Sequence, residues 1–396
     1  MTYLLHALSE RAGEFIRLRR DIHRHPELAF EEHRTAALVA DKLEGWGYEV
    51  ERGVGGTGVV GRLVRGDGPR RLGIRADMDA LPIHEASGRE WASKHAGVMH
   101  ACGHDGHTAM LLAAARHLAE QGGFSGTLHL VFQPAEEGGA GASRMIDEGL
   151  FDRYPCDAIF AMHNMPGIPQ GHMVMREGAT MASSDYASIV LKGVGGHGAV
   201  PHKAVDPVVA AASIVMALQT IVSRNIDPLQ PAVVTVGALN AGQANNVIPA
   251  TARLELTVRA LDRNVRATLE ERIRDLVAFQ ARSFGVQAEI EWRRGYSVLV
   301  NSAAETEFAR KVALELLGPD RVELQGEPLT GSEDFAFMLE RVPGSYVLVG
   351  NGDESSGAAS ACMVHNPGYD FNDDNIAVGA AFWVLLAQRF LAGDRP

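Results

Sequence analysis

Three histidines and a cysteine fall close together in His100-Ala-Cys102-Gly-His104-Asp-Gly-His107. Thiolate and imidazole are the common ligands of zinc and similar divalent cations. One glycine separates Cys102 from His104, so on a tightly turned backbone both side chains could reach one cation. The plainer alternative is a histidine-rich turn with a small core cysteine. His107 reads more simply as a packing residue of the helix that follows. A second cluster, Phe132-Gln-Pro-Ala-Glu136-Glu137-Gly-Gly139, closes an apolar strand. Open α/β sheets place their ligand crevices at such strand ends. Adjacent carboxylates on extended backbone point in different directions. One could hold a cation while the other takes a proton from water beside it. An acidic surface loop is the bland reading.

His163 ends the apolar run Ile159-Phe-Ala-Met-His163, and His365 lies in Cys362-Met-Val-His365-Asn-Pro. Each alone is more simply structural. Together the clusters supply Cys102, His104, Glu137, His163 and His365, enough for two cations at a co-catalytic spacing of ~3.5–4 Å. Asp77, just past a strand end, could orient a ligand histidine, whereas Asp79 could simply cap a turn. His197, in the glycine-rich Gly195-Gly-His197-Gly, could donate to a developing oxyanion. Asn246 and Arg259 add polar groups, and arginine suits a carboxylate. A loop histidine and a solvent-facing arginine are also ordinary features. There is no H-E-x-x-H helix, no P-loop and no G-x-S-x-G elbow.

The elements that must position these residues follow from periodicity. Strands over 59–64, 71–74, 127–132 and 157–162 alternate with helices over 33–46, 105–121 and 142–149, with Asp105 as the expected N-cap of the second. Further helices are expected over 303–317, 332–341 and 374–391. This pattern argues for an α/β layer structure with a largely parallel sheet. Residues 184–293 read differently, as β-α-β-β-α-β, the split ferredoxin-like order. The expected organisation is a catalytic domain over 1–183 and 294–396, with a smaller domain over 184–293 inserted into it.

Composition narrows the class. The chain has 396 residues, of which 46% are hydrophobic and 22% charged. That is ordinary globular usage and excludes a disordered or collagen-like chain. Three cysteines exclude a disulfide framework. A formal charge of −12 argues against a global basic surface for nucleic acid or anionic lipid. The opening residues form an amphipathic pattern without the parts of a secretory signal. No run approaches 18 uninterrupted apolar residues. A cytoplasmic protein with no membrane or nucleic-acid partner is expected.

Nine motifs then carry a resemblance: Arg19–Glu27 (RRDIHRHPE), Arg75–Pro82 (RADMDALP), His100–His107, Gln133–Gly139, Ala161–Asn164, Gly196-His197, Asn246–Pro249, Gly331–Phe335 and His365–Tyr369. The chain resembles the aminoacylase/carboxypeptidase-G-like metallopeptidases, in particular their amidohydrolase branch of hippurate and auxin-conjugate hydrolases. The resemblance implies a two-metal aminopeptidase-like catalytic domain with an inserted ferredoxin-like lid that also dimerises. It implies two divalent ions per subunit (zinc, manganese, cobalt or nickel) on Cys102, His104, Glu137, His163 and His365. Glu136 is then the general base, and Asp77 the aspartate beside the metals. His197 is the lid histidine that reaches the partner subunit's site, and Asn246 and Arg259 recognise substrate. The implied reaction is hydrolysis of N-acyl-L-amino acids by a homodimer, with higher assembly left open. A dipeptidase or carboxypeptidase is the alternative, and a non-catalytic metal-dependent binding protein a more distant one. The chain departs from the wider family, which carries His-x-Asp at Arg75-Ala-Asp77 and Asp at His104. The branch shares both replacements, with Cys102 as compensation.

Overall fold

The computed structural model of the chain describes residues 3–356 and 361–393. It divides into two compact units. The first is Met1–Gly178, Val300–Glu327 and Asp334–Pro396; the second is Ala179–Leu299 and Pro328–Glu333. The second unit thus runs a few residues beyond 184–293 at both ends. It also takes a short segment from far along the chain.

The first unit is built on an eight-stranded sheet. Its order is Glu49–Val54, Gly58–Arg65, Gly126–Gln133, Arg71–Asp77, Ala158–Pro166, Gly344–Gly352, Met173–Val174 and Val322–Glu323. The four central strands run parallel. The first two pair antiparallel, so the sheet is mixed rather than uniformly parallel. The central strands are almost continuously buried. That is the signature of a sheet covered on both faces. Glu49–Val54 escaped the periodicity reading because Glu49, Glu51 and Arg52 leave it no apolar face. Helix His104–Gln121 is buried from His104 through Ala115. Its run of alanines and leucines packs all round, as a helix apolar on every side must.

Two sequence expectations need correction. Asp105 does not cap this helix. The helix begins at His104 after a left-handed Gly103. Asp105 instead binds Arg19 Nε at 2.9 Å and His23 Nδ1 at 2.8 Å in a fully buried cluster. The helix expected over 332–341 is only Phe335–Leu339. Asp334 does not cap it, because its carboxylate accepts from Gln133, Ala142 and Arg75.

The second unit is a four-stranded antiparallel sheet. The order is Ala232–Ala241, Thr251–Ala260, Ser183–Lys192 and Gln287–Arg294. Helices Pro207–Asn225 and Arg263–Ser283 pack on it, giving the ferredoxin-like topology. Alternation does the work here: Leu254, Leu256 and Val258 are buried while Arg253 is exposed. Asp206 caps the first helix through Val208 N, with Pro207 at its first position. Asp262 caps the second through Asn264 N and Val265 N. Pro207–Asn225 is long and apolar enough to cross a bilayer by length and composition alone. Its Ala210, Ala211, Ile214, Leu218 and Ile221 are buried in this unit's own core.

Candidate metal centre

The candidate residues of the first unit gather at the carboxyl ends of its parallel strands. Arg71–Asp77 delivers Asp77, Gly126–Gln133 leads into Glu136 and Glu137, and Ala158–Pro166 carries His163. Cys102 and His104 come from the turn that opens helix His104–Gln121. Gly103 makes that turn possible. Its φ is +93°, and a Cβ there would lie 2.2 Å from Asn164 Nδ2. No other residue fits, and the two ligand candidates on either side are thereby turned together.

Cys102 Sγ stands 3.3 Å from His163 Nε2. Donor atoms of Cys102, His104 and His163 lie within 4.8 Å of one another, as do those of Cys102, Glu137 and His365, and those of His104, Glu136 and Glu137. His365 Nε2 is 3.2 Å from Glu137 Oε1, out of line for a hydrogen bond. His163 Nδ1 donates to Asn164 O at 2.6 Å, so Nε2 is left as the acceptor facing Cys102. His104 Nδ1 is 3.2 Å from Asp79 Oδ1, while its buried Nε2 has no hydrogen-bond partner among the described residues.

His107 also has a donor atom within 4.8 Å of Asp77 and His104, but protein groups engage both sides of its ring. Its Nδ1 lies 2.7 Å from Asp77 Oδ1, and its Nε2 accepts from Asn164 N at 3.0 Å. Both ring nitrogens are spent on protein. Asp77 thus faces two histidines, with Oδ1 on His107 and Oδ2 3.8 Å from His104 Nε2. Asp79 orients His104, and its other oxygen accepts from Glu137 N at 2.8 Å. The sequence offered no way to choose, because Asp77 and Asp79 share one face of an extended segment. Arg75 also gains a purpose. It donates to Asp77 at 2.6 Å and to Gln133 at 2.8 Å, and reaches Asp334 at 3.3 Å. A buried arginine on an apolar strand is the signal that such anions are near.

The electrostatics call for positive charge. Burial pulls His104 down, but Asp77, Asp79 and Glu137 overcome this and push it up to about 10. Burial raises the Cys102 thiol, and Glu137, Glu136 and Asp77 raise it further. Burial, together with His107, holds His163 well below the ordinary imidazole range. Contact with Glu137 raises His365. A neutral imidazole, a buried thiol and clustered carboxylates around a His104 nitrogen with no hydrogen bond among the described residues fit a divalent cation.

The remaining candidates lie in the second unit. His197 is exposed on a two-stranded ribbon, where it pairs with Val247. Gly198 N donates to Asn246 O at 2.8 Å, so His197 and Asn246 are neighbours. Arg259 donates to Ser332 Oγ at 3.0 Å, and its guanidinium lies 5.8 Å from the Tyr186 ring centroid. The sequence also suggests the loop Gly350–Ala361 as part of a pocket wall; its residues 357–360 lie outside the described residues.

Residues 73–389 match the profile of Peptidase family M20/M25/M40. The chain belongs to this family. It is 45% identical to the hippurate hydrolase of Campylobacter jejuni, over 96% of this chain and 97% of that one. It is 39% identical to the N-acetyl-L-cysteine deacetylase of Bacillus subtilis, over 97% of this chain and 90% of that one. Among solved structures it matches the Bacillus subtilis YXEP protein, a dinuclear metal binding peptidase of the M20 family. The TM-score is 0.83 at 34% identity, covering 96% of this chain and 98% of that one. Membership of the M20 family agrees with the α/β frame and with a metal centre at the strand ends.

Proposed function

We propose that this chain is a metal-dependent amidohydrolase that cleaves N-acyl-L-amino acids to a carboxylic acid and a free amino acid. One observation carries the reading. Glu136 stands beside a converged set of soft and hard donors whose central histidine nitrogen, His104 Nε2, is buried without a hydrogen-bond partner among the described residues and has Asp77 Oδ2 at 3.8 Å. Cys102, His104, Glu137, His163 and His365 would hold two divalent ions, drawn from zinc, manganese, cobalt or nickel. Bound there, such ions acidify water and polarise a carbonyl.

The chain's own residues do the rest. Glu136 takes the proton of the attacking water and returns it to the departing amine. Asp79 holds His104 in one orientation, and Asn164 holds His107 in one tautomer. His197 donates to the developing oxyanion, from one protomer to the partner subunit's site in a homodimer formed through the second unit. Asn246 and Arg259 bind the substrate, with Arg259 gripping its carboxylate. Dipeptide or carboxypeptidase activity is the second reading, favoured by the peptidase name of the family itself. The cytoplasm is the proposed compartment, supported by three cysteines that are all free.

The test measures bound metal and hydrolysis on one purified sample, loaded in turn with each of the four ions. Acetyl-, benzoyl- and indoleacetyl-amino acids are compared with simple dipeptides. Metal-dependent release of amino acid from the acyl substrates is expected. Turnover of dipeptides alone selects the second reading. Absence of bound metal under every loading overturns both.

A further inference from the structure

Among the described residues only Phe30, Ala135, Ala140 and His365 are non-glycine residues with positive φ. Ala135, at φ +53°, directly precedes Glu136. Left-handed backbone at alanine is costly and persists only where its surroundings enforce it. The two peptide N–H groups that flank Glu136 supply the enforcement. Glu137 N donates to Asp79 at 2.8 Å, and Ala135 N donates to Glu32 Oε1, also at 2.8 Å.

Glu32 is fully buried. It occupies the N-cap position of helix His33–Gly45, yet its side chain does not cap that helix. Glu27 does so instead, accepting from Arg34 N and Thr35 N at 2.8 Å each. The Glu32 carboxylate is thereby released for the distant turn. Its second oxygen accepts a short hydrogen bond from Thr57 Oγ1. Burying a carboxylate is expensive, and one oxygen of this one is given to the backbone amide beside the candidate base. The turn has little slack. A Cβ on Gly139 would lie 2.7 Å from Ala135 Cβ and 3.1 Å from the Phe30 ring.

We propose that Glu32 is a positioning residue for the reaction: it locks the strained Ala135 peptide and so aims the Glu136 carboxylate. This rests on Glu136 being the general base. Three variants separate the two claims: Glu32→Ala, Glu32→Gln and Glu136→Gln. Glu32→Ala is expected to lower kcat by about 10- to 100-fold through misplacement of the base, with KM nearly unchanged. Glu32→Gln keeps an acceptor oxygen for Ala135 N and is expected to restore most of that loss. Hydrogen exchange of peptides covering 133–142 gives a readout independent of turnover. It should quicken in Glu32→Ala and stay slow in Glu32→Gln. If Glu32→Ala does not fold, Thr57→Val, which removes only the hydroxyl that steadies Glu32, should show a smaller fall in kcat and a smaller gain in exchange. Inactive Glu136→Gln with unchanged kcat and exchange in the Glu32 and Thr57 variants overturns the positioning role alone. Fully active Glu136→Gln overturns the base reading, and the positioning role with it.

Discussion

Two thiol–imidazole pairs flank the same sheet, one at each end of its parallel strands. Cys102 and His163 meet at 3.3 Å beyond the carboxyl ends of the parallel strands. Cys156 and His129 meet at 3.5 Å near the amino ends. Residue types and spacing are nearly the same, but the surroundings are not. Around the first pair stand Asp77, Glu136 and Glu137, with His104 held by Asp79. Around the second, burial and Asp157 push the Cys156 thiol up to about 12, and burial with Arg62 and Arg71 pulls His129 down to about 4. The first environment gathers carboxylates that favour a cation, whereas the second sets Arg62 and Arg71 against Asp157 alone. A metal centre is thus made by the charges around its donors as much as by the donors.

The largest expected effect separates reaction from cation holding within the first pair's surroundings. Glu136→Gln should lower kcat by about 10²- to 10⁴-fold, the usual worth of a general base, while folding and bound metal are retained. Near-normal turnover would remove Glu136 from the mechanism. His197→Ala comes next. An oxyanion donor is worth about 10²-fold or more in kcat, and bound metal should not change because the residue lies in the other unit. Unchanged kinetics would refute its role. Smaller still is the loss of an orienting group. Asp79→Ala should weaken cation binding about 10- to 100-fold, read by competition with a chelator. Cys156→Ser serves as the control at the other end of the sheet. A comparable loss of metal from Cys156→Ser would break the contrast between the two pairs.

The candidate donors were legible because chemistry was concentrated in short stretches. Cys102 and His104 flank one glycine, and Glu136 and Glu137 close an apolar strand. The fold was legible for the same reason at longer range. The buried strands Arg71–Asp77 and Ala158–Pro166 read as apolar runs, and Thr251–Ala260 as clean alternation. What stayed hidden depends on contacts between distant residues. Asp105 looked like a helix cap because Asp often is one, and its union with Arg19 and His23 spans more than 80 positions in sequence. Asp77 and Asp79 could not be told apart without seeing which histidine each one faces. Glu32 gave no signal at all, since its partner amide belongs to Ala135, an unremarkable residue whose backbone alone is unusual.

The smallest expected effect concerns the second pair, and it shows in stability rather than activity. His129 is 2% exposed and sits in its neutral form, with its affinity for a proton reduced to about pKa 4. The unfolded chain holds the same ring near its ordinary value of about 6.5. Between these two values the unfolded state binds more protons than the folded one. Linkage then requires stability to be full above about pH 6.5 and to decline as pH falls toward 4. The contribution is about 3 kcal/mol, from a pKa of about 4 in the folded state against about 6.5 in the unfolded one. Other buried histidines titrate in the same direction, His100 among them. The informative quantity is therefore a difference between proteins. His129→Gln removes the titrating ring, so its Tm should fall less than the parent's between pH 7 and pH 5, as followed by circular dichroism. Parallel Tm curves would mean that His129 is not desolvated in the folded state, and the charge contrast between the two thiol–imidazole pairs would lose half its basis.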